Sequence, residues 1–447
     1  MLWSFVIPPV DLDVHGLAQA RTPSWLEKRL ERWPTSGRIP EVGGHMGSTP
    51  SHHRHRHTHR HRRRHAISTA LAALLVLAAC AEGPGDEGPG ADESRGRSTK
   101  SRHPDGESVA DFLRRTLPAG PGGTVVAARG DRLVHCGGFG AADRAAGTPA
   151  SCRTVYDVMS ITKQFTATAI VKLEVLGRLR VSDPISRFLG GEQAVPEDKR
   201  GITIEHLLTH TSGLVEGLGD DYDPVSREEL VRRALSSRLR SAPGKEFHYS
   251  NTGYSLLAAI VEEASGEAYE RFLARHLFRP AGMEQTGYVL PRWPRHLVAV
   301  EYDNEGRAQG RPFDHPWAAD GPYWNLRGNG GMLSTAHDMF RWHRALLGDE
   351  ILPARARDKL FAPRAPEPES ENSYGYGWSL RDTPDGRLAW HDGGNDWSLG
   401  LLSRSLRDGV LVFWISNHAY RDGRWNLEEQ AETLTTGIAS RVRAEGA

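Results

Sequence analysis

A chain of 447 residues, 38% of them hydrophobic, is long enough for one large domain or two ordinary ones around a buried core. Its 56 Lys+Arg balance 56 Asp+Glu, but residues 1–79 hold 11 and 5 of these, so residues 80–447 carry 45 against 51, a net of −6. A mildly acidic body argues against a nucleic-acid binder, which needs a basic domain. The three cysteines fall into two groups, Cys80 alone and Cys136 with Cys152.

Residues 1–45 show no pattern beyond a short amphipathic run from Trp25 to Trp33. Residues 51–65 are a His/Arg tract, a composition that can bind metal. The tract runs straight into an uncharged apolar stretch, Ala66 to Ala79, shorter than the ~20 residues of a membrane-spanning helix. A basic segment followed by a short apolar one is an export signal, and Arg63-Arg64 leaves a twin-arginine route open. The stretch ends Leu77-Ala78-Ala79-Cys80, which resembles the lipobox of bacterial lipoproteins. That resemblance implies a lipid on Cys80, the first mature residue, and anchorage to the outer face of the cell membrane; the alternative is an ordinary signal peptide with an incidental cysteine. A signal starting at Met1 would be far too long, so translation is expected to begin near Met46. Residues 1–45 then form an extension outside the working protein, and 46–79 the signal peptide. Residues 80–107, rich in Gly, Pro, Asp, Glu and Ser, cannot bury a core and read as a flexible tether.

A folded domain is expected over 108–443. Val109 to Leu117 reads as a helix, and Thr124 to Ala128 and Leu133 to Cys136 as strands joined at Arg129-Gly130-Asp131. Cys136 and Cys152, close together in an exported domain, form either a disulfide or two free buried thiols. Thr154 to Met159 reads as a loop. Phe165, Ala169, Ile170, Leu173 and Leu176 recur at helical spacing, so Gln164 to Leu176 is predicted helical, with Gly177 as its stop. A short helix spans Thr203 to Leu208. His206 and His210 stand at i and i+4 but have no third ligand nearby, so no metal is expected. Residues 224–240 form a polar helix, Pro243-Gly244-Lys245 a turn, and Gly253 to Glu263 and Tyr269 to Phe278 further helices. Gly328-Asn329-Gly330-Gly331 reads as flexible, ahead of a helix from Asp338 to Leu347. Residues 378–380, 388–390, 399–402 and 410–415 then alternate with polar turns as an antiparallel sheet, closed by a helix from Leu427 to Val442.

The helix after the loop opens on Ser160-Ile161-Thr162-Lys163. Positions i and i+3 share a helix face, so Lys163 stands beside Ser160. A serine hydroxyl is a weak nucleophile until a neighbouring base takes its proton, and a lysine deprotonated by burial can serve. A helix N-terminus adds N–H groups suited to an oxyanion. Alone the pattern is weak, since S-x-x-K arises by chance about once or twice in a chain this long. Its weight comes from two later motifs, Tyr249-Ser250-Asn251 and His391-Asp392-Gly393.

With these three motifs in this order, Val109 to Val442 resembles the serine β-lactamase and penicillin-binding protein superfamily, on its class C and D-peptidase side. The resemblance implies an α+β fold: an antiparallel sheet built from both chain ends, flanked by helices, with a mostly helical lobe from the middle. It implies a serine hydrolase without cofactor that forms an acyl-enzyme on Ser160. Lys163 and Tyr249 would share proton handling, and a protonated His391 would help to supply the positive charge a phenol needs to act as a base. Asn251 would hold Lys163 and a substrate amide. The N–H groups of Ser160 and Gly394 would form the oxyanion hole, with Gly393 and Gly394 admitting the substrate backbone. Two departures matter: many members have lysine where His391 stands, making activity sensitive to pH near 6 to 8, and Asp392 replaces a hydroxyl residue. An aspartate facing the site would repel a substrate carboxylate, which favours neutral or amine-bearing substrates. Trp317, Tyr323, Trp324 and Trp397 are candidates for the pocket wall. The leading expectation is an exported hydrolase of D-amino-acid peptides, amides or esters, with a small-molecule or peptide substrate as partner. The alternatives are a class C-like β-lactamase and a non-catalytic penicillin-binding or cell-wall binding protein.

Overall fold

The structure, a computed structural model, describes residues 106–445. The expectations for the upstream extension, the signal peptide, Cys80 and nearly all of the tether lie outside the described residues.

An eight-stranded antiparallel sheet forms the spine. Its strands are β1 (Gly123–Arg129), β2 (Arg132–Phe139), β3 (Ala365–Pro366), β4 (Ser373–Tyr374), β5 (Ser379–Thr383), β6 (Gly386–Gly394), β7 (Leu399–Ser405) and β8 (Val410–Ser416). They lie in the order β3-β4-β5-β6-β7-β8-β1-β2, so β1 from the start of the domain pairs with β8 near its end, Val125 opposite Trp414. The α-helices of five or more residues are α1 (Val109–Thr116), α2 (Thr162–Val175), α3 (Ile204–Leu208), α4 (Arg227–Ser236), α5 (Asn251–Ser265), α6 (Tyr269–Leu273), α7 (Ala336–Ala345) and α8 (Ala431–Ala444). This is the expected α+β architecture.

Strand alternation explains why β8 is buried along its whole length. Val412 and Trp414 point to one face, packing with Phe112 of α1 and Leu434 and Ile438 of α8. Leu411, Phe413 and Ile415 point to the other, into the large core with Phe165, Ile170 and Trp342. The sheet is therefore a middle layer, and the central residues form the helical lobe on one side.

The elements extend further than their sequence signals, because backbone pairing continues past the last apolar residue. β2 runs to Phe139 and β6 to Gly394. The segment predicted as a loop before Ser160 contains a short strand, Val155–Asp157, paired with Leu333–Thr335. The polar helix shrinks from 224–240 to α4, capped by Ser226, whose side chain accepts the Glu229 N–H. The helix expected over Tyr269 to Phe278 widens after Leu273 into a π-helical turn, Ala274–Phe278. Cys136 and Cys152 are joined as a disulfide.

Candidate active site

Three elements converge. The first is the turn before α2. Asp157 Oδ1 accepts the Met159 N–H at 2.6 Å, and Met159 takes a left-handed φ of 49°. That conformation is unfavourable for a side chain with a β-carbon, and the buried carboxylate bridges it. Ser160 follows in a single 3₁₀ turn that leads into α2, leaving its own N–H outside the helical ladder. Lys163, one turn on, is fully buried. Its Nζ lies 2.9 Å from Ser160 Oγ and 2.8 Å from the backbone oxygen of Asn329. Burial pushes the ammonium down to about 7, against a smaller opposing pull from Asp221, Asp392 and Glu216.

The second element is the entry to α5. Ser250 caps it through the Gly253 N–H at 3.0 Å, which sets Tyr249 just outside the helix and Asn251 at its first position. The Tyr249 hydroxyl is hydrogen-bonded to Ser160, and burial holds its phenol well above the ordinary range. Lys163 Nζ stands 4.8 Å from the Tyr249 ring centroid. Tyr249 therefore stays protonated at neutral pH, which leaves Lys163 as the candidate proton acceptor. Asn251 does not bind Lys163: the Asn329 carbonyl occupies that place. Among the described residues, Asn251 Oδ1 is instead buried without a partner, an acceptor left unused at the site.

The third element is the end of β6. Ser379 of β5 is paired with Trp390, the last β6 residue in that ladder, while β6 pairs with β7 as far as Gly394 opposite Leu399. His391 to Gly394 thus present a free edge. Leu406 N–H bonds to Arg387 O, so odd-numbered residues of β6 face β7, and the backbone of Asp392 and Gly394 turns to the free edge. The Gly394 N–H therefore lies on that free edge, a candidate partner for the Ser160 N–H in an oxyanion hole. Gly393 packs directly on the serine turn: a β-carbon there would lie 2.8 Å from the Ser160 nitrogen.

His391 differs from expectation. It is buried, with Nδ1 against the Asp392 carbonyl at 2.5 Å and Nε2 against the Tyr374 hydroxyl at 2.9 Å. A carbonyl only accepts, so Nδ1 carries the proton and Nε2 is left to accept from the tyrosine. Burial, with Lys163 second, pushes the imidazole down to about 3. His391 is neutral at pH 7, so it supplies no positive charge to Tyr249. Asp392, whose direction was open, alternates to the face of β6 opposite His391 and Gly393, the face of Trp390 and Leu401. Burial raises its carboxyl to about 6.

Two contributors escaped the sequence reading. Asn329 lies in the glycine-rich stretch predicted to be flexible, yet it is buried and pinned. Its Nδ2 donates to Ser255 Oγ and Asn325 O at 2.8 and 2.7 Å, and Tyr288 donates to Gly330 O at 3.0 Å. His210 is the other. It is fully buried at a φ of 59°, its ring 4.4 Å from Tyr249 and 4.6 Å from Tyr374, and its Nδ1 accepts the Ser250 N–H at 3.0 Å. It supports Tyr249 from behind. His206 serves elsewhere, accepting the Thr203 N–H at the start of α3. Of the aromatic candidates, Trp324 is in the core, Trp317 and Tyr323 are half-buried, and Trp397 stacks on His315 at 4.7 Å.

Comparison with known proteins bears on the family and the fold. The chain is 30% identical over 310 residues to penicillin-binding protein 4* of Bacillus subtilis (strain 168), covering 66% of this chain and 68% of that one. It is 31% identical over 277 residues to a putative penicillin-binding protein, PbpX, of the same organism, covering 61% and 64%. The chain thus spans about two thirds of the length of these relatives. The octameric penicillin-binding protein homologue from Pyrococcus abyssi superposes with a TM-score of 0.61 over 76% of this chain and 79% of that one, at 24% identity, a likeness of fold. A model of the beta-lactamase family matches residues 111–435, and the chain belongs to that family, within the β-lactamase and penicillin-binding protein superfamily.

Proposed function

We propose that the protein is an exported serine hydrolase that forms an acyl-enzyme on Ser160 with D-amino-acid peptides, amides or esters. The main support is the buried Lys163 Nζ, 2.9 Å from Ser160 Oγ and brought to about 7. Neutral Lys163 accepts the hydroxyl proton as Oγ adds to the substrate carbonyl. The tetrahedral oxyanion accepts from the Ser160 and Gly394 N–H groups. Collapse breaks the bond to the amine or alkoxide, which leaves with a proton delivered from Lys163 through the Tyr249 hydroxyl. Water then adds to the acyl carbon, surrendering a proton by the same route, and the freed acid leaves Ser160 intact. Asn251, with its unpaired Oδ1, receives a substrate N–H.

Asp221 and Glu216 act on Lys163 electrostatically, which favours substrates bringing a neutral or amine group over those bringing a second carboxylate. In this reading Cys80 carries the lipid that holds the enzyme at the outer face of the membrane.

The test is intact-protein mass after brief exposure to a penicillin, followed by peptide mapping and then by assays on D-amino amides and esters. A covalent adduct on Ser160, absent in Ser160→Ala, and turnover of at least one of these acyl substrates are expected. Ligand binding undiminished in Ser160→Ala, with no turnover by the parent, would replace the hydrolase with a binding protein. Rapid destruction of the penicillin itself would favour the β-lactamase.

A further inference from the structure

A second cleft opens at the end of the sheet that carries the site. Gly394 pairs with Leu399, Leu399 with Ser416, and Ser416 with Gly123. At ~4.8 Å per strand, Gly123 lies about 14 Å across the sheet from the catalytic edge. Beside this last position is a cleft of about 240 Å³, lined among others by Gly120, Arg144, His418, Arg421, Arg424 and Trp425.

Its arginines are not paired with carboxylates among the described residues. Arg144 and Arg421 converge on Gly306: a β-carbon there would lie 2.4 Å from Arg421 Nη1 and 3.5 Å from Arg144 Nη1. Arg421 Nη1 is buried without an acceptor. Among the described residues, none of the three arginines forms an ion pair. The nearby acids are engaged elsewhere. Asp303 accepts from Arg307 Nε at 2.8 Å and from Gln309 at 2.9 Å; Asp422 accepts from Asn304 at 2.7 Å; Asp143 accepts from Arg311 at 2.7 Å.

The geometry is held in place. The Arg144 guanidinium lies 4.1 Å over the Tyr302 ring, donates to Gly120 O at 3.2 Å, and contacts His418 Nδ1. His418 Nε2 faces the Asp303 carbonyl at 3.0 Å, so Nε2 carries the proton and Nδ1 accepts from Arg144. Burial, and then Arg144, push this imidazole down to about 4. Guanidinium groups without an ion-pair partner, one of them held by ring stacking and hydrogen bonds and one with a buried unpaired N–H, form a receptor for a multivalent oxyanion, because their forks match its oxygens.

We propose that this cleft is an anion site for a phosphate-class group, held by Arg144, Arg421 and Arg424. It is separate from the catalytic machinery. The group belongs to a free phosphate, to an anionic headgroup of the membrane, or to a distal part of a substrate.

The test is calorimetric titration of inorganic phosphate into the purified full-length chain at low ionic strength. One saturable site is expected, weakened about tenfold or more in Arg421→Gln. Arg424→Ala supplies a check with little risk to folding, since Arg424 is exposed. Saturation by the parent with loss in both variants supports the site. No saturable binding, or binding unchanged in both variants, overturns it. Co-sedimentation with vesicles of phosphatidylglycerol in phosphatidylcholine, against phosphatidylcholine alone, then separates the sources. Sedimentation that needs the anionic lipid and Arg424 identifies a headgroup, while phosphate binding without it identifies a soluble or substrate-borne phosphate.

Discussion

Lys163, on the helix side of the site, and His391, on the strand side, are both fully enclosed and both lose their proton more readily because of it. The outcomes are opposite. Lysine starts at 10.5 and is brought to about 7, where it becomes a base. Histidine starts at 6.5 and is brought to about 3, where it no longer titrates near neutrality. Desolvation disfavours the charged form of both; the difference lies in the reference values. In the proposed mechanism the helix side therefore moves the proton, while the strand side shapes the space. A fold that buries both groups alike suits a lysine base and leaves a histidine only geometry.

The largest effect should follow from breaking the helix side. Lys163→Met removes the base while keeping the apolar stem, and kcat/KM should fall by about 10³-fold or more, the upper range for general base catalysis. Adduct formation on Ser160 under brief exposure should disappear with it. Activity within tenfold of the parent would remove Lys163 from the role of base.

Gly393→Ala tests the strand side as geometry. Its new β-carbon would stand 2.8 Å from the Ser160 nitrogen and 2.8 Å from the Val158 oxygen, so strand and turn must separate. Loss of one oxyanion donor costs about 10²–10³-fold in kcat, and a comparable fall is expected together with a lower melting temperature, since overpacking costs about 1–3 kcal/mol. A wild-type rate would place the oxyanion hole elsewhere.

Both positions were legible in the sequence because side chains carry the chemistry there: Ser160 with Lys163, Tyr249 with Asn251, and the glycines after His391. What escaped was backbone chemistry and burial. The Asn329 carbonyl holds Lys163 at 2.8 Å, and any residue has a carbonyl, so the motif pointed to Asn251 instead. A run of three glycines around an asparagine reads as mobile; only packing shows that Tyr288, Asn325 and Ser255 pin it. His210 was read beside His206 along the chain, whereas its partners, Tyr249 and Tyr374, come from distant segments. Elements were legible in type, but their ends were not, because β6 continues through Asp392 and Gly393 by pairing with β7.

The sign of the pH profile separates the two sides. If neutral Lys163 is the base, acylation should rise with pH through about 7 and level off, since its conjugate acid is inactive. A protonated His391 would give the reverse, a fall as pH rises through its ordinary range. The rising limb should survive in His391→Gln, with the plateau lowered about tenfold at most, the scale of a lost hydrogen bond. Stopped-flow acylation between pH 5 and 9 decides this, and a falling limb that vanishes in His391→Gln would restore the charged histidine.

The smallest effect should come from Tyr374→Phe. Its hydroxyl meets His391 Nε2 at 2.9 Å and touches no reacting group. Removing it takes one hydrogen-bond partner from the Tyr254 hydroxyl and leaves one buried acceptor on the His391 ring, still held by the Asp392 carbonyl and packed against Tyr249 at a centroid distance of 6.3 Å. A loss of about 1–3 kcal/mol in stability is expected from the orphaned nitrogen, with kcat altered by only about threefold on that scale and the pH limb in place. If Tyr374→Phe shifted the limb itself, proton movement would extend from Lys163 through Tyr249 to His391, and the strand side would be more than geometry.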